Sequence, residues 1–97
     1  MNSDLVDEAI SDAYDFIHEC GGEESISSVI REVSDSAVNL HVGDGNYQTK
    51  DIKKVHVHRA LTVMEKLGLV ELVDYKKHKP KTVVINYSME VADVERL

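Results

Sequence analysis

Gly68 divides this chain more sharply than any other residue. Before it, Val57, Ala60, Leu61, Met64 and Leu67 fall within roughly one third of a helical wheel turned at about 100° per residue. After it, L-V-E-L-V-D-Y (69–75) and T-V-V-I-N-Y (82–87) are rich in β-branched residues. Between those two runs lies K-K-H-K-P-K (76–81), too polar and too charged for a sheet interior. A chain written this way is expected to pack a helix of about 55–67 against two strands. The tip joining the strands, stiffened by Pro80 and spread by like-charge repulsion among its lysines, stays in water.

The first half reads as helical. Leu5, Val6, Ala9, Ile10, Ala13, Phe16, Ile17 and Cys20 recur at steps of three and four between acidic positions, which predicts a helix over about 3–20. Gly21-Gly22 ends it, because glycine accepts the left-handed backbone that a helix C-terminus favours. Cys20 is the single cysteine, so no internal disulfide can form, and it is expected to be a small buried apolar residue. Ser25 is a candidate N-cap for a second helix to about Asp35, with Ile26, Val29, Ile30 and Val33 on its buried side. V-N-L-H-V then alternates at Val38, Leu40 and Val42 and meets the turn formers G-D-G-N, which predicts a short strand and a turn. Asp44 and Asn46 resemble the opening of a calcium loop, but Gln48 and Thr49 occupy the next ligand and glycine positions, so no calcium site is expected.

On the wheel of the third helix, Ile52 and Val55 lie nearly opposite the apolar stripe. One straight helix from Thr49 cannot bury both sets. A bend near 53–56 is expected, with a short helical turn from Thr49 ahead of the main helix. The face away from the stripe carries His58, Arg59, Thr62 and Lys66, with His56 at its flank. It is cationic and rich in hydrogen-bond donors.

Charge follows the same division. The chain has a formal net charge of −7, yet the sign is unevenly placed. Residues 1–49 hold eleven acids and one base, Arg31, whereas residues 50–81 hold nine bases and four acids. An asymmetry of this kind points to an anionic partner for the basic part. At 97 residues and 42% apolar content, one domain over 1–97 is expected, with a single core. The acidic start lacks the cations of a targeting peptide, and no apolar run approaches about 18 residues. A cytoplasmic protein with no membrane partner is therefore expected.

A helix ending R-A-L-T-V-M-E-K-L-G-L-V-E-L, then a strand, a basic tip and a second strand resembles the back half of a winged helix-turn-helix DNA-binding domain. The likeness covers about 49–88 and is most specific over Leu61–Glu71. It implies an α+β fold of three or more helices with a C-terminal β-hairpin wing. It also implies double-stranded DNA as partner, with the helix in the major groove and the wing on the backbone or minor groove. Readout then falls to His58, Arg59 and Thr62, with His56 and Lys66 beside them. Phosphate contacts fall to Lys50, Lys53, Lys54, Lys76, Lys77, His78, Lys79 and Lys81. Residues 36–48 depart from the family pattern as an insertion, so the supporting helix is either 25–35 or a short turn at 49–54. The role implied is a transcriptional regulator, expected to pair as a homodimer through the first helix or the C-terminal segment.

The residues support that partner on their own chemistry. Lysines neutralise phosphates and release condensed counterions, Arg59 can offer a two-pronged donor edge to guanine, and Thr62 can set a methyl against thymine. Duller roles exist, since lysines at a hairpin tip also protect an edge from aggregation. The alternative function is a protein-interaction module working through the acidic N-terminal half, and the pI near 5.1 favours it. RNA ranks last, because no aromatic cluster offers a stacking platform. His56-x-His58 on a helix points its rings about 160° apart, so no metal is expected, nor any cofactor. With no nucleophile-base pair and no glycine-rich phosphate loop, an enzyme is not expected.

Overall fold

Helix α1 (Ser3–Glu19) forms on the spacing the sequence displays, and Leu5, Val6, Ala9, Ala13 and Ile17 are buried along it. In this computed structural model, which describes residues 3–88, α1 ends as Gly21 and Gly22 turn left-handed, each at φ 93°. The Gly22 N–H donates to the Ile17 carbonyl at 2.9 Å and the Gly21 N–H to that of His18 at 3.1 Å, so the last carbonyls of the helix find partners. Gly22 has a second reason to lack a side chain. A Cβ there would collide with the Tyr87 ring. Cys20 is exposed, contrary to the expectation of burial, because it sits in the turn after the stripe has ended.

The next element is not signalled by any pattern in the sequence. Glu23–Ser25 forms strand β1, although E-E-S has little strand propensity. Backbone pairing creates it, with Glu23 opposite Val84 and Glu24 opposite Val83. Ser25 then caps helix α2 (Ile26–Val33), accepting the Ser28 N–H on its Oγ at 3.1 Å. Val29 and Val33 are buried, and the helix stops at extended Ser34, short of the expected Asp35.

Residues 37–51, expected as one strand, a turn and a helical start, are a complete hairpin arm. Strand β2 (Ala37–Gly43) pairs antiparallel with β3 (Asn46–Asp51) about the two-residue turn Asp44-Gly45. Both turn residues have positive φ, at 49° and 78°, as a type I′ turn requires. The inserted element therefore runs to Asp51 instead of Gln48, and Thr49 lies in a strand. At the arm's base the Ile52 N–H donates to the Ser36 carbonyl at 2.9 Å, and the Asp35 N–H donates to the Ile52 carbonyl at 2.6 Å.

Helix α3 (Lys54–Lys66) follows. Ile52 precedes it and is fully buried, whereas Val55 lies on the helix and is 52% exposed. The conflict on the wheel is resolved by starting the helix after Ile52, not by bending it. Val57, Ala60, Leu61 and Met64 are buried as expected, but Leu67 is 39% exposed because the chain is already leaving the helix there. Gly68 turns at φ 80°, its N–H donating to the Glu65 carbonyl and that of Leu69 to Met64. This 6→1 and 5→2 pattern closes the helix and aims the chain into β4 (Val70–Val73).

Strand β4 pairs with β5 (Thr82–Ile85), and the sheet order is β1-β5-β4. Val70, Val83 and Ile85 face one continuous core shared with α1, α2 and α3. Asn86 fastens the edge, donating from Nδ2 to the Gly68 carbonyl at 2.9 Å. The described residues thus form a small α+β domain of three helices and two antiparallel sheets. The C-terminal segment from Met89, where the sequence leaves open a short helix and one dimer seam, lies outside them.

Candidate nucleic-acid interface

The outward face of α3 is built by the same geometry that buries its stripe. With Val57, Ala60, Leu61 and Met64 turned inward, His58, Arg59, Thr62 and Lys66 are exposed. Val55 and Val63 complete a shallow groove of about 390 Å³ with these four. The Thr62 hydroxyl donates to the His58 carbonyl at 3.0 Å, which commits its proton to the helix and leaves its methyl and lone pairs to a partner.

His56 does not belong to this face. It is 9% exposed, and its Nδ1 accepts the Lys53 N–H at 2.9 Å. A glutamate usually fills this place in a capping box. Here imidazole does it, with the ring proton on Nε2. The angle of His56 on the wheel predicts a place at the flank of the cationic surface, but the backbone donor of Lys53, unsatisfied at the helix start, draws the ring inward. His56 and His58 consequently part, one buried and one exposed. Among the described residues no group of three or more His, Cys, Asp or Glu is placed to hold a metal ion.

The hairpin tip has an unusual backbone. Lys76 and Lys79 exchange hydrogen bonds, N–H to carbonyl, at 2.8 and 3.0 Å. That leaves Lys77 and His78 as the two central residues of a tight turn, at φ 53° and 67°. Type I′ turns favour Asn-Gly because positive φ strains residues with larger side chains. Lys76, Lys77, His78, Lys79 and Lys81 are all exposed, and the turn presents cationic side chains where asparagine and glycine would be easier to hold.

The structure brings α3 and this hairpin together. His58, Leu61 and Thr62 of α3 face Lys79, Pro80 and Lys81 across a groove of about 420 Å³, closed on the third side by Ile26, Ser27 and Ile30 of α2 and floored in part by Leu72. Nothing in the sequence marks the α2 residues as part of this surface. They arrive there because β1 docks on β5 and delivers the start of α2 beside the tip.

Three expected phosphate contacts sit elsewhere. Lys53 caps α3 and Lys54 begins it, both exposed at its N-terminal end. Lys50 lies on arm strand β3 opposite Val38, not on a helical turn leading into α3.

Acidic side chains gather between α1 and α2. Asp12, Asp15, Glu19 and Glu32 surround a notch of about 240 Å³ between α1 and α2, with Phe16, Val33 and Ser36. Partial burial, reinforced by Asp15, holds the Asp12 carboxyl above the usual carboxylate range. Desolvation and the neighbouring Glu24, Glu19 and Glu32 carboxylates likewise hold the Cys20 thiol above its usual range. No described helix is long and apolar enough to cross a membrane. No known protein family, curated protein or solved structure matches this chain.

Proposed function

We propose that this domain binds double-stranded DNA as a winged helix-turn-helix transcriptional regulator. Helix α3 enters the major groove and the 76–81 tip rests on the backbone or the adjacent minor groove. One observation carries the reading: His58 and Thr62 of α3 and Lys79 and Lys81 of the hairpin wall a single groove, although they are far apart in sequence. His58 and Thr62 also border the neighbouring groove that carries Arg59 and Lys66, so cations of α3 and of the hairpin flank one surface, which suits a continuous polyanion better than a point ligand. The element order also supports it. With the β2–β3 arm set aside, the order helix, short strand, helix, helix and hairpin, with β1 as the third strand beside β5, is compatible with a winged helix. In it α2 is the supporting helix, and the β2–β3 arm is an insertion in the turn of the helix pair.

Within this reading Arg59 reads base edges, Thr62 offers its methyl, and Lys53, Lys54, Lys66 and the tip lysines hold phosphates. The test is an anisotropy titration with duplex DNA at several salt concentrations. With about six phosphate contacts, log affinity falls against log salt with a slope near −5. A flat response overturns the proposal. Arg59→Ala separates reading from attraction, since Arg59 is exposed and its loss leaves the core intact. The variant is expected to lose about 1 to 3 kcal/mol on the preferred sequence and much less on random DNA. Equal losses on both would remove α3 from the reading role.

A second reading, a module that binds a basic protein segment, has the acidic α1–α2 notch in its favour. It is the outcome if the salt response on DNA is flat.

A further inference from the structure

DNA binding accounts for the outer face of α3 and for the lysines of the tip. It does not account for the floor between them. Ile26, Ile30 and Leu72 pack against the core on one side and leave the rest of each side chain open to the groove. We infer that this groove is a binding site for a small aromatic anion, and that its occupancy excludes DNA.

The groove volume of about 420 Å³ lies in the range of small-molecule pockets, roughly 300 to 1,000 Å³. Its apolar floor suits a flat ring, and its rim fixes the sign of the ligand. His58, Lys79 and Lys81 supply donors, and no carboxylate lines the groove. The rim is also held in place before any ligand arrives. The Lys81 N–H donates to the Val73 carbonyl at 3.0 Å, and the Lys81 carbonyl accepts the Ile26 N–H at 2.9 Å. One residue thus ties β4, the tip and the start of α2 together, which lowers the ordering cost of binding.

The exclusion of DNA rests on the function proposed above, because His58, Lys79 and Lys81 would serve both partners. For competing ligands the apparent DNA dissociation constant rises by one plus the ratio of ligand concentration to its own dissociation constant. At a tenfold ratio that is about 11-fold.

The test uses 2-naphthoate as probe, titrated against the DNA-free protein by its fluorescence, with 2-naphthalenemethanol as the uncharged counterpart. Saturable one-to-one binding of the carboxylate, several-fold tighter than of the alcohol, is expected. Ser27→Trp places a ring over the groove from an exposed position and should weaken 2-naphthoate about tenfold. If that variant does not fold by circular dichroism, Lys79→Ala/Lys81→Ala supplies the same comparison and should reduce the preference for the carboxylate. No saturable binding, or equal binding of the two probes, overturns the site. Anisotropy with duplex DNA then decides exclusion. Unchanged DNA affinity at saturating 2-naphthoate overturns it. A protein that binds 2-naphthoate but no DNA in the absence of probe retains the site and loses the proposed function.

Discussion

Two hairpins in this molecule close in the same way and are used differently. The β2–β3 arm and the β4–β5 hairpin each carry a two-residue turn with both central residues at positive φ, Asp44-Gly45 in one and Lys77-His78 in the other. The arm stands as a sheet of its own, and all six residues of β3 are exposed. The second hairpin receives β1 as a third strand and buries Val70, Val83 and Ile85. A two-stranded hairpin is marginal in water, so the arm depends on Val38 and Leu40, which pack partly against the core, and on the Ser36–Ile52 closure at its base. The β4–β5 hairpin is anchored well enough to hold a strained basic turn. Burial at one end of a hairpin thus permits backbone strain at the other, and strain of this kind tends to be kept where a partner binds.

The β4–β5 hairpin is most sensitive at its buried anchor. Ile85→Ala should destabilise the domain by about 2 to 5 kcal/mol in urea unfolding, because it opens a cavity in the shared core. A loss under about 1 kcal/mol would mean that the hairpin is not part of the cooperative unit.

Removing the arm should cost less. With residues 37–51 replaced by Gly-Gly, a short turn between Ser36 and Ile52, the remainder should stay folded and lose no more than about 2 kcal/mol. Unfolding of this variant would show that the arm is structural and would erase the contrast.

The strained tip gives a smaller effect with two opposite readouts. Lys77→Asn/His78→Gly installs the residues a type I′ turn prefers and should stabilise the domain by about 1 kcal/mol. Loss of the Lys77 charge should meanwhile weaken DNA binding about fivefold at moderate salt. A variant that gains stability and keeps full affinity would show that the tip is only a solvated turn.

The smallest effect is expected on the arm's surface. Gln48→Ala changes an exposed side chain of β3 and should change stability by less than about 0.5 kcal/mol. A larger loss would show that Gln48 holds the arm in place.

Much of the domain is legible in the residues because local rules and burial agree. The stripe from Leu5 to Ile17, the Ser25 cap, the Val57–Met64 stripe and the Gly68 stop each follow from spacing or from one residue's backbone chemistry. So do the cationic face at His58, Arg59, Thr62 and Lys66 and the exposed basic tip. The misreadings cluster where those rules are silent. Strand β3, N-Y-Q-T-K-D, shows no apolar alternation because neither of its faces enters the core. The D-G turn with V-N-L-H-V before it was the one available signal that a partner strand should follow. Leu67 and Cys20 fit their helical stripes by angle, but each lies where the helix has already ended.

By itself, the sequence determined the three helices, the Ser25 cap, the glycine stops after α1 and α3, the two strands after Gly68, and the gathering of cations between Lys50 and Lys81. These depend on interactions within a few residues of one another. Only the tertiary structure decided that E-E-S would be a strand, that His56 would face inward, and that α2 would close a groove between α3 and the tip. Each depends on a partner distant in the chain. Backbone donors of β1 have meaning only beside β5, and the groove exists only once β1 has carried the start of α2 to Lys81.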